Sequence, residues 1–169
     1  MLWPVEIRIQ PATADTFDGV RRLFREYQEW LGEDLCFQSF EAELAELPGK
    51  YAPPRGALLL AMDPTEAVGC VGVRPLAGNV CEMKRLYVRP QHRGQGVGRR
   101  LAVAAIAAAR QAGYRVMRLD TLERLREAMR LYESLGFVRV PPYYANPLPG
   151  VVYWQLSLDA VGMQTRSRG

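Results

Sequence analysis

Arg93-Gly94-Gln95-Gly96-Val97-Gly98 places glycine at every second position between an apolar strand and an alanine-rich helix. The strand before it, residues 86–88, stops at Arg89-Pro90, because proline has no N–H to continue a ladder of hydrogen bonds. The helix after it, which contains residues 101–109, is rich in residues of high helix propensity. The glycines therefore fall at a helix N-terminus, where unpaired backbone N–H groups and the helix dipole favour an anion such as a phosphate.

Two better-known glycine loops do not fit these residues. The loop of nucleotide hydrolases needs Gly-Lys-Ser or Gly-Lys-Thr, but Gly98 is followed by Arg99-Arg100, which offers no hydroxyl for magnesium. A dinucleotide-binding fingerprint that begins at Gly96 needs its third glycine where Leu101 stands. A loop whose glycines only make a tight turn is the alternative interpretation, so the surrounding residues have to decide.

Charge is distributed unevenly along the chain, although the net charge is only +4. Residues 1–66 hold 6 Lys+Arg and 12 Asp+Glu, residues 67–119 hold 10 and 1, and residues 120–169 hold 6 and 5. The glycine loop lies in the basic segment, among Lys84, Arg85, Arg89, Arg93, Arg99 and Arg100. This cluster suits a small ligand with several phosphates or, as alternatives, a nucleic-acid backbone or a solvated basic face.

The length of 169 residues favours a single domain over residues 1–169. The longest apolar run, residues 101–109, is too short to span a bilayer, and Glu6 and Arg8 interrupt the start, so we expect a soluble, cytoplasmic protein without a membrane partner. Three cysteines, Cys36, Cys70 and Cys81, show no close spacing, and His92 is the only histidine. We therefore predict neither a disulfide nor a metal site.

Hydrophobic spacing and turn residues predict an alternating order of strands and helices. Asp15 is predicted to open the first long helix and Gly32 to end it, while Asp120 and Glu123 form the start signal of the last helix, which ends at Gly136. The predicted strands are residues 5–9, 57–62, 67–74, 80–88, 116–119, 137–139 and 151–156, and the predicted helices contain residues 17–31, 40–47, 101–109 and 125–132.

This order of elements resembles the GNAT superfamily of acetyl-coenzyme A dependent N-acetyltransferases, in particular its small single-domain bacterial type. The superfamily's coenzyme signature is Gln or Arg, two residues, Gly, one residue, then Gly or Ala, and Arg93, Gly96 and Gly98 match it. Residues 128–137 are similar to its second block, a helix with a tyrosine followed by Gly-Phe and a strand. The resemblance implies an α/β (α+β) fold with a mixed, mostly antiparallel sheet of about seven strands flanked by about four helices.

The resemblance also implies a donor substrate, acetyl-CoA, and the residues that bind it. The amides of residues 93–99 would hold the pyrophosphate, and backbone groups of Leu86 and Val88 the pantetheine arm, while Arg89, Arg99 or Arg100 would meet the outer phosphate. The expected coenzyme-binding residues are Leu86, Tyr87, Val88, Arg93, Gly94, Gln95, Gly96, Val97, Gly98 and Arg99.

Amine acylation by a thioester needs a base for the amine, a donor for the oxyanion and an acid for the leaving thiolate. Glu82 is the candidate base because it is the one carboxylate in residues 67–119, with an ion pair to Lys84 or Arg85 as the alternative role. Tyr132 is the candidate acid by resemblance, with a packing role as its alternative. The resemblance places the oxyanion donor at a backbone N–H near Tyr87 or Val88. An acyl-cysteine at Cys70 or Cys81 is disfavoured, because His92 is the only imidazole available to activate a thiol.

The acceptor is predicted less directly. In this superfamily the first helices line the acceptor side, and the acidic balance of residues 1–66 favours a small cationic amine, approached by Glu29, Glu33, Asp34 or the loop of Tyr143, Tyr144 and Asn146. A catalytically silent acyl-CoA-binding sensor and a protein N-acetyltransferase are the other readings. A nucleic-acid partner is not expected, because aromatic and basic residues do not alternate along the basic segment. A homodimer is possible on the sequence alone.

Overall fold

A seven-stranded sheet forms the centre of the molecule in the computed structural model, which describes residues 5–35 and 39–159. The strands are β1 (Arg8–Pro11), β2 (Ala57–Met62), β3 (Ala67–Ala77), β4 (Val80–Val88), β5 (Val116–Leu122), β6 (Val138–Val140) and β7 (Val151–Ser157), and the helices are α1 (Phe17–Leu31), α2 (Phe40–Ala45), α3 (Val97–Gln111) and α4 (Arg126–Ser134). The strand order is β1-β2-β3-β4-β5-β7-β6, and every neighbouring pair is antiparallel except β4 and β5. The predicted mixed, mostly antiparallel sheet with four flanking helices is confirmed.

Asp120 is the clearest error in the predicted boundaries. It lies inside β5, and α4 begins six residues later, at Arg126, so Asp120 does not cap that helix. The local Asp-x-x-Glu pattern is overridden because residues 119–122 pair with residues 151–154 of β7. Likewise, Asp15 belongs to a 3-10 turn that precedes α1, whereas Gly32 ends α1 as predicted, at φ +70°.

Two hydrophobic clusters cover the two faces of the sheet. The cluster under α3 and α4 includes Cys81, Met83, Leu101, Ala105, Met117, Leu119 and Phe137, and the cluster under α1 and α2 includes Leu23, Phe24, Phe40, Leu60, Cys70 and Leu122. Because side chains alternate along a strand, Glu82 and Lys84 of β4 point to the face that α1 and α2 cover. Arg118 and Asp120 of β5, which alternate with Met117 and Leu119, point to the same face.

The strands β4 and β5 pair only at their beginnings. Their register comprises Val80↔Val116, Cys81↔Met117 and Glu82↔Arg118. Beyond these pairs, β4 stays paired only with β3, and β5 only with β7. On its other edge β4 carries a bulge, where Arg85 takes φ +61°. The sheet therefore opens into a fork between the later part of β4 and the later part of β5.

The described residues contain no helix that combines the length and the apolarity needed to cross a membrane. Cys70 and Cys81 are buried free thiols. Cys36, the third cysteine of the sequence, lies outside the described residues.

Candidate functional site

The glycine loop ends at the N-terminus of α3, as the sequence predicts. Gly94 and Gly96 both adopt φ +77°, and a Cβ on either would meet no atom within 4 Å, so glycine is needed here for its backbone conformation. The first helical hydrogen bond runs from the N–H of Arg100 to the carbonyl of Gly96 at 3.1 Å. The N–H groups of residues 94–99 have no acceptor among the described residues, so this stretch of backbone can bind an anion.

A cleft of about 500 Å³ lies beside this loop, between the end of β4 and the start of α4, and we call it the loop cleft. Its lining residues are Trp30, Leu86, Tyr87, Val88, His92, Arg93, Gly94, Gly96, Val97, Gly98, Arg124, Leu125, Arg126, Glu127, Ala128, Leu131 and Tyr132. The cleft brings together eight of the ten expected coenzyme-binding residues, whereas Gln95 and Arg99 are not in its lining. The N-termini of α3 and α4 both open onto it, so two helix dipoles favour a negative charge there.

Arg93 is held at the wall of the loop cleft by three contacts. Its Nε donates to the carbonyl oxygen of Val88 at 2.9 Å, and its guanidinium carbon lies 4.8 Å from the ring centroid of Trp30 and 5.7 Å from that of Tyr87. These contacts hold the guanidinium charge of Arg93 next to the glycine loop, and they engage the carbonyl oxygen of Val88 at the end of β4.

The other arginines near the loop differ in how their charges are used. Arg89 lies between two carboxylates, Glu26 at 2.9 Å and Glu66 at 3.0 Å, and Arg100 donates to a backbone carbonyl of the N-terminal segment at 2.9 Å. Arg99 donates to the hydroxyl of a serine on α4 at 2.5 Å and forms no ion pair with the described residues. Of the three arginines considered for an outer phosphate, Arg89 is paired with carboxylates, whereas Arg99 and Arg100 form no ion pair with the described residues.

Sequence reasoning missed Trp30 and the beginning of α4. Arg124 and Arg126 carried a usable signal, since they are two cations at the beginning of an amphipathic helix. Trp30 carried no such signal, because its spacing of three residues from Tyr27 is also that of an apolar helix face, yet the residue is 40% exposed.

Tyr132 lies on α4 and lines the loop cleft. Its ring packs edge-on against Phe137 at 5.7 Å, and its residue surface is 7% exposed. Its hydroxyl makes no hydrogen bond to the described residues, so it can bond a ligand. Burial raises the pKa of Tyr132, and the nearby Tyr27 and Asp120 raise it further, so the hydroxyl keeps its proton at neutral pH. The tyrosine therefore combines the packing role with an available donor.

Glu82 belongs to a row of polar side chains that crosses four strands, which we call the charged row: Arg74, Glu82, Arg118 and Gln155. The Oε1 of Glu82 lies 2.9 Å from Nε and 2.8 Å from Nη2 of Arg74, and its Oε2 accepts a hydrogen bond from the hydroxyl of Tyr143 at 2.5 Å. The residue is 1% exposed. The structure thus gives Glu82 a cationic partner, Arg74, that the sequence alternative had not named.

The cations that the sequence offered as partners of Glu82 have acidic neighbours of their own. The Nε of Arg85 lies 3.0 Å from Oε2 of Glu43, and the Nζ of Lys84 lies 3.7 Å from Oδ1 of Asp120. Burial lowers the pKa of Lys84, and Asp120 opposes that shift.

A second cavity, of about 470 Å³, lies over the charged row, and we call it the sheet cavity. Its lining residues are Arg74, Leu76, Ala77, Glu82, Lys84, Arg118, Tyr143, Tyr144 and Ala145. The predicted loop residues Tyr143 and Tyr144 are among them, whereas Glu29, Glu33 and Asp34 are not. Asn146 donates to Asp120 at 2.9 Å behind this wall. The two cavities therefore lie at successive stretches of β4, the sheet cavity at residues 82–84 and the loop cleft at residues 86–88. The bulge at Arg85 lies between these stretches.

Comparison with known proteins gives one consistent family. The model of the acetyltransferase (GNAT) family matches residues 17–137, from the start of α1 to the residue before β6. An uncharacterized N-acetyltransferase of Schizosaccharomyces pombe is 47% identical over 144 residues, which cover 84% of this chain and 88% of that protein.

Two solved structures share the fold at low sequence identity. A GNAT family acetyltransferase from Staphylococcus aureus has a TM-score of 0.77 at 18% identity, over 90% of this chain and 99% of that chain. The PaiA N-acetyltransferase of Thermoplasma acidophilum, solved in complex with coenzyme A, has a TM-score of 0.72 at 17% identity, over 90% and 99%. These matches show that the whole sheet and its helices follow a known arrangement.

Proposed function

The chain belongs to the GNAT family of acetyltransferases, and on that premise we propose that it moves the acetyl group of acetyl-CoA to the amine of a small acceptor. The observation that carries this proposal is the run of unpaired N–H groups of residues 94–99 beside the loop cleft. A pyrophosphate would supply the acceptors that these donors lack. The Thermoplasma protein, which shares the fold, was solved with coenzyme A bound, and this is compatible with the same ligand here.

The loop cleft and the glycine loop beside it offer groups for the phosphates and the pantetheine arm of the coenzyme. The expected residues for the phosphates are Arg93, Gly94, Gln95, Gly96, Val97, Gly98 and Arg99. Beyond Glu82, β4 pairs with no described residue on its β5 side, so backbone groups near Leu86, Tyr87 and Val88 can pair with the amides of the pantetheine arm. The fork would then hold the thioester end of the donor.

For the chemistry, we propose one role for each of three groups. Glu82 takes the proton that the amine loses as its nitrogen bonds to the acetyl carbon. A backbone N–H near Tyr87 or Val88 stabilises the oxyanion, because the pairing of β4 with β5 ends at Glu82 and leaves this stretch without a described partner strand on the fork side. Tyr132 donates its hydroxyl proton to the sulfur as the C–S bond breaks.

The cationic nature of the acceptor stays a prediction. It rests on the acidic balance of residues 1–66, but Glu29, Glu33 and Asp34 do not line the sheet cavity, which is lined by three cations and one carboxylate. The cavity lining therefore gives no support of its own to a cationic acceptor.

Direct binding and turnover test the proposed function. We expect coenzyme A and acetyl-CoA to bind in isothermal titration and to raise the melting temperature, because ligands of the folded state stabilise it. A panel of amines with acetyl-CoA, followed by thiol release, should identify at least one acceptor that is turned over. Binding without turnover of any amine would favour a silent sensor, turnover of protein lysines alone would favour a protein acetyltransferase, and absence of coenzyme binding would overturn the proposal.

A further inference from the structure

Arg118 is a cation of the sheet cavity without a carboxylate partner in the part of the chain that the structure describes. Its Nε donates to Oε1 of Gln155 at 3.0 Å, and its guanidinium carbon lies 5.4 Å from the ring centroid of Tyr143. No hydrogen bond to the described residues engages its two Nη groups. The side chain is thus oriented by two neutral groups while its charge stays uncompensated.

The carboxylate nearest in register to Arg118 is already used. Glu82 lies opposite Arg118 in the β4–β5 pairing, but its oxygens contact Arg74 and the hydroxyl of Tyr143. Asp120, which lies two residues after Arg118 on the same face of β5, is the acidic neighbour of Lys84, with 3.7 Å between Oδ1 and Nζ. The ion pairs around the sheet cavity therefore leave one positive charge in excess, and it is located on Arg118.

We propose that the acceptor is an amine that also carries a carboxylate, and that Arg118 binds this carboxylate through its Nη groups. The inference rests on the proposed function and names the acceptor class for it. A planar guanidinium offers two parallel N–H donors that match the two oxygens of a carboxylate. A cavity of about 470 Å³ accommodates a small molecule of this kind.

The position of Arg118 explains how the carboxylate directs the amine. Glu82↔Arg118 is the last register pair before the fork, so a molecule bound at Arg118 lies next to the candidate base and at the opening towards the thioester. An amine a few bonds from the carboxylate, as in an α-amino acid, can remain at Arg118 and reach the fork. Arg118 is a specificity residue in this arrangement, and it does not take part in bond making.

The kinetic test compares free amino acids with their carboxamides, which keep the amine and lose the negative charge. We expect wild-type protein to have a lower KM for the acids. Arg118→Gln should raise the KM for the acids about tenfold to a hundredfold, which is the range for a hydrogen bond to a charged group, and leave the KM for the carboxamides unchanged. Arg118→Lys should recover part of the preference, because it keeps the charge and loses the planar geometry.

The matched control is Arg115→Gln, which removes an exposed arginine that lies one residue before β5 and pairs with Asp159. It should leave both KM values unchanged. Equal KM values for acids and carboxamides in wild type, better turnover of polyamines than of acids, or a KM increase for both series in Arg118→Gln would overturn the proposal.

A binding measurement separates this proposal from the proposed function. Protein saturated with coenzyme A is titrated with the best amino acid of the panel and with its carboxamide, or with the full acid panel if none is turned over. If the acid binds more tightly than its carboxamide, and Arg118→Gln removes this difference, the carboxylate site is supported. If no amine is turned over in the same experiments, the proposed transferase activity fails but the carboxylate site stands. No difference between acid and carboxamide removes the carboxylate site while acetyl transfer can still stand.

Discussion

Tyr132 combines a packing contact with a hydroxyl that is available to a ligand. Its ring completes the contact of α4 with Phe137, while its hydroxyl remains unbonded beside the loop cleft. The raised pKa of Tyr132 keeps the proton on the oxygen, which an acid needs before it can donate.

Tyr132→Phe removes the hydroxyl and keeps the ring. If the hydroxyl protonates the leaving thiolate, kcat should fall about a hundredfold, at the lower end of general acid catalysis, with coenzyme A affinity within a factor of two or so. Steady-state kinetics and isothermal titration measure the two quantities. An unchanged kcat would assign Tyr132 to packing alone.

Glu82→Gln tests the proposed base. We expect kcat to fall about a hundredfold, because an amide cannot take the proton. Loss of the buried ion pair with Arg74 should also lower the free energy of unfolding, so urea unfolding is measured in parallel. Tyr143→Phe is the control, since it removes the hydrogen bond to Oε2 and keeps the carboxylate. A stability loss with unchanged kcat would show that Glu82 has a structural role only.

At the scale of elements, the loop before α3 depends on two glycines with positive φ, and α3 itself supplies a matched pair of positions. Gly96 precedes the helix at φ +77° and Gly113 follows it at φ +89°, and a Cβ at either would meet no atom within 4 Å. The two positions share a backbone conformation that would strain any residue with a Cβ, but only Gly96 lines the loop cleft.

Gly96→Ala and Gly113→Ala should each cost about 1 kcal/mol of stability, because alanine pays to hold a positive φ. Only Gly96→Ala should weaken coenzyme A binding, about tenfold or more, because its Cβ projects beside the amides that would bind the pyrophosphate. Chemical unfolding and isothermal titration provide the comparison. Equal affinity losses in both variants would show that the loop acts only through global stability.

The sequence predicts elements well where the signal is local. The glycine loop, the hairpin of β2 and β3 and the apolar stripe of α1 are each visible within about a dozen residues. Asp120 was misassigned because its strand is stabilised by β7, about thirty residues later in the chain. The partners of Glu82 were missed for the same reason, since Arg74 and Tyr143 reach it only through strand register and a distant loop.

At the scale of the whole molecule, the two cores bury the thiols of Cys70 and Cys81 and make them unreactive. Burial raises the pKa of Cys81 to about 12 and also raises the pKa of Cys70. In the unfolded chain both thiols would have a pKa of about 8.5. The folded state therefore holds these protons more tightly, and stability that is complete below about pH 8.5 is lost as the pH rises above it.

Urea unfolding between pH 7.5 and 10 should show this loss, at up to about 1.4 kcal/mol per thiol for each pH unit above 8.5. Cys81→Ala should flatten the slope by removing one of the two groups. A disulfide reagent at pH 8 should modify neither Cys70 nor Cys81 in the folded protein and both in urea. Rapid labelling of either cysteine in the native state would contradict their burial.

The fork between β4 and β5 also has a kinetic consequence. The loop cleft and the sheet cavity have separate lining residues and flank the same strand, so neither occupant has to leave before the other enters. With both thiols buried, the described residues offer no cysteine to carry the acetyl group between two half-reactions. Initial velocities measured against both substrates should therefore give intersecting double-reciprocal lines, the signature of a ternary complex, and parallel lines would require a carrier residue.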